Sequence, residues 1–195
     1  KTLIKMNKKS KILVTGSNGM VGTSLTRKLK DQGYNNLLTP LFSKLDIRNQ
    51  KQVYEYFKKN NIEYVFHLAA KVGGIAANIK FPGDFLYDNL MMELNVMESA
   101  REHKVKKLMF LGSSCIYPRE CKQPMKEEYL LTGKFEPTNE GYSIAKISGL
   151  KLCEYYNKQH GTNFISLVPC NLYGPNDNFD LHSSHVVSAL LLKFH

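Results

Sequence analysis

Short apolar runs alternate with helix-length segments along most of the chain, and this alternation restricts the fold more than any other feature. The almost continuously apolar runs lie at 11–15, 64–68, 107–112 and 164–168, with a weaker run at 36–42 that Pro40 interrupts. The helix-length segments lie at 20–32, 50–60, 84–103 and 142–160. Strands without a polar face are typical of parallel sheets covered on both sides. We therefore expect an α/β fold with a doubly wound parallel sheet, since crossovers are right-handed.

A glycine-rich loop follows the first predicted strand directly. Residues 16–22 read GSNGMVG, a GxxGxxG spacing between a strand and a helix. Glycines allow close approach of the backbone, and the free N–H groups of a helix N-terminus bind a diphosphate. The alternative is a glycine-rich turn without a ligand. The context favours the phosphate loop of a Rossmann domain. The candidate cofactor-binding residues here are Gly16, Ser17, Asn18, Gly19, Met20, Val21 and Gly22.

The end of the second predicted strand bears on the choice of cofactor. An acid that would hold the ribose hydroxyls of NAD is expected about 20 residues after the glycines. Residues 41–44 read LFSK, and no acid occurs there before Asp46. Lys44 beside a missing acid favours a 2′-phosphate and hence NADP(H), although Lys44 can equally be a surface lysine. Asp46 is a candidate contact for the adenine amine.

The charge of the chain points to an anionic partner. The 195 residues include 27 Lys and Arg against 17 Asp and Glu, a net charge of +10. Nucleic acid or a small phosphorylated molecule would fit this charge. Because the lysines are scattered and no five like charges are consecutive, we do not predict nucleic-acid binding.

Metal, membrane and secretion patterns are missing from the sequence. The four cysteines, Cys115, Cys121, Cys153 and Cys170, form no CxxC pair, so no metal site is predicted. There is no run of about 18 apolar residues and no apolar leader at the N-terminus, so we predict no membrane contact. A reducing, cytoplasmic location is the expectation.

Tyr142 and Lys146 form a YxxxK spacing inside a predicted helix, so that their side chains share one face. The ammonium is expected to lower the pKa of the phenol, so that Tyr142 exchanges a proton with a substrate oxygen near neutral pH. YxxxK alone is common. Together with the glycine loop and Ser113 after a strand, it resembles the extended short-chain dehydrogenase/reductase family. The resemblance implies that Ser113, Tyr142 and Lys146 act together and that Lys146 also holds the nicotinamide ribose.

The same resemblance implies further walls of the cofactor site. These residues follow the third, fourth and fifth strands or lie near the C-terminus: Leu68, Ala69, Ala70, Leu111, Gly112, Ser113, Ser114, Pro169, Cys170, Asn171, Leu172 and His185.

Five short segments narrow the resemblance within the family. They read KVGGI at 71–75, GSSCIYP at 112–118, EPTNE at 136–140, NLYGP at 171–175 and DNF at 177–179. They are similar to members that invert C3 and C5 of GDP-4-keto-6-deoxy-D-mannose and then reduce C4 with NADPH. The resemblance therefore implies a GDP-sugar substrate and a homodimer. Another nucleotide-sugar epimerase or dehydratase with a single chemical step is the alternative.

Cys115 and His185 are the candidates for the epimerisation. A C4 ketone acidifies the protons on C3 and C5, and inversion needs a base on one face of the sugar and an acid on the other. The resemblance makes the Cys115 thiolate the base and His185 the acid. Without it, Cys115 is typical of a small buried hydrophobe and His185 of a surface or capping residue. The implied substrate-binding residues are Ser113, Ser114, Cys115, Asn171, His185 and Lys193.

The domain organisation follows from these assignments. We expect an N-terminal extension at 1–10, an NADP-binding domain at 11–180, and the start of a substrate-binding region at 181–195. The helical pattern at 185–195 contains no Gly, Asn or Pro to end it. We therefore expect a truncated chain from which the small C-terminal substrate domain is largely missing. A genuine C-terminal helix is the alternative.

Overall fold

Each of the four apolar runs forms a strand of one parallel sheet. The computed structural model describes residues 6–180, 184 and 186–194. The strands are β1 Ile12–Thr15, β2 Leu37–Leu38, β3 Tyr64–His67, β4 Lys107–Leu111 and β5 Phe164–Leu167. They are arranged in the order β2-β1-β3-β4-β5, and all neighbouring pairs are parallel. The α/β fold with a doubly wound parallel sheet is thereby confirmed.

Helices cover both faces of the sheet. They are α1 Met20–Asp31, α2 Gln50–Asn60, α3 Ile75–Lys80, α4 Pro82–Glu102, α5 Glu140–His160 and α6 Val186–Phe194. Because side chains alternate along a strand, Leu13 packs in the core with residues of α2, α4 and α5, such as Phe57 and Val96. Its neighbours Ile12 and Val14 pack on the opposite face with Leu29 of α1. Within the described part of the chain, no helix combines the length and apolar character needed to cross a membrane.

Two elements differ from the sequence expectation. The strand predicted at 36–42 is only two residues long, because Pro40 has no N–H to donate to the sheet and a turn follows, in which Lys44 and Leu45 donate to the Leu41 carbonyl. The short helix α3 was not predicted. It comes directly before α4, which begins with Pro82 in its first turn, a position that proline favours.

The ends of β1 and β3 are joined by side chains. The Thr15 hydroxyl lies 2.7 Å from Nδ1 of the buried His67, and the Ala69 amide donates to the same hydroxyl at 3.3 Å. The loops that leave these two strands are thus held next to each other, which sets the floor of the site described below.

Candidate active site

A cavity of about 560 Å³ opens at the carboxyl ends of the strands, where open parallel sheets bind their ligands. The loops after β1, β3, β4 and β5 and the start of α5 all contribute to its wall. The predicted residues in that wall are Gly16, Asn18, Gly19, Met20, Val21, Gly22, Leu68, Ala69, Ala70, Leu111, Gly112, Ser113, Cys115, Tyr142, Lys146, Pro169, Cys170, Asn171 and Leu172. Residues from both ends of the sequence therefore meet at one site.

The glycine loop is built around close backbone contacts. Gly16 has a φ of +68°, and a Cβ there would lie 2.8 Å from the Cα of Ala69. A Cβ on Gly22 would lie 2.0 Å from the carbonyl oxygen of Gly16. Gly19 precedes α1 without a side-chain cap, and the next residues, Met20 and Val21, line the cavity. Their amides are among those that a helix leaves without internal partners, so this cradle fits a diphosphate.

Replacing Gly22 with Ala is expected to destabilise the protein by about 1–3 kcal/mol, because the added methyl group overlaps backbone that cannot rotate away. Dinucleotide binding should weaken at least tenfold, since the loop must open to accept the methyl group. Urea unfolding and a binding titration would measure both effects. Gly83→Ala is the matched control. A Cβ there meets nothing within 4 Å, so its stability should stay the same or rise by up to about 1 kcal/mol. Equal behaviour of the two variants would contradict the assignment.

Ser113 and Cys115 are positioned by a 3₁₀ turn that follows β4. The Ser113 hydroxyl accepts a hydrogen bond from the Cys115 amide at 3.3 Å, which caps the turn Ser114–Ile116. Sequence reasoning missed Asn139, whose side-chain amide donates to the Cys115 sulfur at 3.3 Å. The Asn139 oxygen in turn accepts from Ser143 at 3.2 Å. A hydrogen-bond donor thus points at the sulfur, and the position of Asn139 just before α5 was the signal in the sequence that could have identified it.

Tyr142 is held in its protonated form. Burial raises the pKa of its phenol well above the usual value, nearby Cys115 raises it further, and a hydrogen bond with Ser113 opposes the shift. The prediction that Lys146 lowers the pKa of this phenol is therefore wrong for this structure. The Lys146 ammonium lies 5.8 Å from the centre of the Tyr142 ring. A phenol that keeps its proton at neutral pH suits a proton donor rather than a base.

The Lys146 ammonium is almost completely buried at the cavity wall. It is 3.0 Å from Oε1 of Glu93, and their side chains are 3% and 1% exposed. It also donates to the Leu111 carbonyl at 3.2 Å. The neighbouring His67 is fully buried, and desolvation lowers the pKa of its ring to about 3, with a smaller effect from Lys146. Lys146 and Glu93 are thus a buried ion pair, and sequence reasoning did not identify the acid.

Some predicted site residues lie outside the cavity wall. Ser17, Ser114 and Lys193 do not line it, and neither do Lys44 and Asp46. Lys44 and Lys193 are exposed. His185 lies outside the described residues.

Asp46 is already engaged by another side chain. The Arg48 guanidinium binds its carboxylate with two hydrogen bonds of 2.9 and 3.0 Å, which lower the pKa of Asp46. The side chains that line this end of the cavity are apolar, from Pro40, Phe42, Leu45 and Ile47. Apolar residues in a loop were the feature of the sequence that could have identified this end of the cavity. The adenine contact of Asp46 remains a prediction.

The chain is similar in sequence to known proteins. A sequence profile of the NAD dependent epimerase/dehydratase family matches residues 12–195. The chain is 51% identical over 189 residues to GDP-L-fucose synthase 1 of Arabidopsis thaliana, covering 97% of this chain and 58% of that protein. It is 48% identical to the GDP-L-fucose synthase of Escherichia coli, over 96% of this chain and 58% of that protein.

Solved structures show the same arrangement. A GDP-mannoheptose C4 reductase from Campylobacter jejuni, solved with NADP bound, superposes with a TM-score of 0.92 at 46% identity. The superposition covers 98% of this chain and 56% of that one. The chain therefore spans somewhat more than half the length of the relatives that it matches.

Proposed function

The chain belongs to the NAD dependent epimerase/dehydratase family, and on this premise we propose that it carries the cofactor site and catalytic groups of an NADPH-dependent enzyme that converts GDP-4-keto-6-deoxy-D-mannose to GDP-L-fucose. The observation that carries the proposal is the meeting of Cys115 with Ser113, Tyr142 and Lys146 in one cavity. Ser113, Tyr142 and Lys146 suffice for a reduction. A thiol beside them adds the base that an epimerisation needs.

The geometry of the glycine loop indicates which residues would hold NADP(H). The diphosphate would lie on the amides of the first turn of α1, where Gly16 and Gly22 leave no room for a side chain. The third N–H of the Lys146 ammonium remains for the nicotinamide ribose, because Glu93 and Leu111 engage the other two. When bound, NADPH supplies the hydride that reduces C4. The role of Lys44 at a 2′-phosphate remains a prediction.

The protein's own groups handle the protons of both steps. Cys115, held by the Asn139 amide, takes the protons from C3 and C5, and His185 is the predicted acid on the opposite face. Ser113 hydrogen-bonds the C4 ketone and stabilises charge that develops on its oxygen. Tyr142 then gives its proton to the C4 oxygen during reduction. The raised pKa of its phenol keeps that proton available throughout the neutral range.

Replacing Cys115 with Ser is expected to remove the base, because a hydroxyl is a far weaker proton acceptor than a thiolate. Exchange of the C3 and C5 hydrogens for deuterium should fall by about 10²–10⁴-fold, the usual contribution of a positioned acid or base. NMR of the sugar nucleotide in D₂O measures this exchange without reduction. The control is Cys121→Ser, whose thiol donates to the Lys122 carbonyl in a surface loop. Wild-type exchange in the Cys115 variant would refute the role.

The overall proposal is tested with the complete protein, GDP-4-keto-6-deoxymannose and NADPH. We expect NADPH oxidation and formation of GDP-L-fucose, with slower turnover when NADH replaces NADPH. A second assay with a GDP-4-ketoheptose covers the substrate class of the structural relative. Failure to oxidise NADPH with the deoxymannose substrate would sink the proposal, and reduction without inversion would favour the single-step alternative.

A homodimer is part of the same proposal. Large apolar side chains are exposed on the two longest helices, Tyr87 and Leu94 on α4 and Tyr155 on α5, which supports an interface there. Sedimentation of the complete protein would measure its mass in solution. A cytoplasmic location remains a prediction.

A further inference from the structure

Glu93 is an acid buried in the middle of helix α4. It is 1% exposed, whereas glutamates are almost never fully buried unless they are paired. Its neighbours along the helix, Met92 and Val96, belong to the main core. The proposed mechanism has no role for a carboxylate at this depth, so its presence requires another reason.

The fold makes specific room for this carboxylate. Gly149 of α5 faces it, and a Cβ on Gly149 would lie 2.7 Å from Oε2 of Glu93 and 2.6 Å from the ring of Phe110. Gly149 comes three residues after Lys146, so the gap and the ammonium lie on the same side of α5. A glycine inside a helix costs about 1 kcal/mol relative to alanine, and here it allows the acid to reach the lysine.

The contacts of the pair leave Glu93 with a single partner. Apart from Lys146, no donor in the described part of the chain hydrogen-bonds to either carboxylate oxygen. The ammonium lies 4.7 Å from the centre of the Phe110 ring, so the Lys146 side chain is confined on several sides. Its position at the cavity wall is therefore fixed by Glu93 and by the Leu111 carbonyl.

We propose that Glu93 is a positioning residue for the reduction: it holds the Lys146 ammonium in place at the cavity wall. This inference rests on the function proposed above. Geometry and charge both support it. The carboxylate lies 3.0 Å from the ammonium, and its charge offsets the desolvation of a buried ammonium.

The titratable groups around this pair come from four elements. Lys146, Tyr142 and Cys153 belong to α5, and burial raises the pKa of the Cys153 thiol to about 11. His67 of β3 is kept neutral by its lowered pKa, and Cys115 follows β4. Burial also raises the pKa of Glu93 itself, while Lys146 opposes that rise.

The test is the kinetic profile of NADPH-dependent reduction in Glu93→Gln, which keeps the shape of the side chain and removes its charge. We expect the KM for NADPH to rise at least tenfold, because the ammonium is no longer held, while the KM for the sugar nucleotide stays the same. A general loss of structure would not separate these two constants. A folded variant with the wild-type KM for NADPH would overturn the inference.

Two further variants make the result decisive. Glu98→Gln removes an acid from the same helix that pairs with Arg101 instead, and its profile should match that of the wild type. If Glu93→Gln does not fold, Glu93→Asp retains the charge on a side chain that is too short to hold the ammonium at 3.0 Å. Its kcat for reduction should fall at least tenfold, and a wild-type kcat would reject the inference. Because wild-type reduction is measured first, failure of the proposed function would be recognised separately.

Discussion

A Tyr142→Phe variant should lose reduction of the C4 ketone while still binding NADP(H). The substitution removes one hydroxyl from the cavity wall and leaves the ring in place, so the glycine cradle of α1 is unaffected. Without the phenol proton, the C4 oxygen loses the group that protonates it, although Ser113 still donates a hydrogen bond to it. The loss should be about 10²–10⁴-fold in kcat, the usual contribution of a positioned acid. Single-turnover oxidation of NADPH measures it, and cofactor binding is followed by titration.

Tyr155→Phe is the matched control, because Tyr155 lies on the same helix with 54% of its surface exposed. It should reduce the ketone at the wild-type rate. Turnover by Tyr142→Phe at a rate close to that of the control would remove Tyr142 from the mechanism, whereas loss of cofactor binding would show that the hydroxyl has a structural role.

Replacing Lys146 with Met should make the free energy of unfolding strongly dependent on pH. Burial already raises the pKa of Glu93, and Lys146 opposes that rise, so removal of Lys146 should raise this pKa further. A carboxyl whose folded-state pKa is raised contributes its full stability below the ordinary value of about 4.5. That contribution is lost as the pH rises through the folded-state value. Unfolding of the variant should therefore become easier from pH 5 upwards, by at most about 1.4 kcal/mol per pH unit.

At pH 8 the variant should be about 3–5 kcal/mol less stable than the wild type, the usual effect of removing one partner of a buried pair. Urea denaturation between pH 5 and 8 measures this. The double variant Glu93→Gln with Lys146→Met has no buried charge at this place, so its stability should vary with pH less than that of the single variant. Parallel pH curves for the single and double variants would mean that Glu93 is not the group that titrates.

Local patterns predicted most of the fold. Strand β3 and helix α2 follow directly from the order of apolar residues in their own segments, and the glycine loop follows from spacing between a strand and a helix. The length of the second strand was harder to predict, because Pro40 ends β2 after two residues. The 2′-phosphate contact of Lys44 and the adenine contact of Asp46, whose carboxylate also binds Arg48, remain predictions.

Glu93 and Asn139 were missed because their roles depend on contacts between distant segments. In sequence, Glu93 is an ordinary charged residue in a helix, and its partner is 53 positions away in α5. A pattern was nevertheless present: Glu93 lies on the stripe formed by Phe85, Asn89 and Val96, all of which are buried. A charged residue at such a position calls for an opposite charge on the facing element.

The described cavity wall contains only two charged side chains, Lys146 and Asp177, although the chain carries a net charge of +10. The charge of Lys146 is largely balanced by Glu93, so backbone amides provide most of the attraction for a diphosphate. Binding of this kind displaces few counterions. The affinity for NADP(H) should therefore change little between 50 and 200 mM salt, over a range in which a protein with 6–10 phosphate contacts to DNA loses about 10³–10⁵-fold. The surplus of lysines would then affect how the protein behaves among other polyanions, and not how tightly it holds its cofactor.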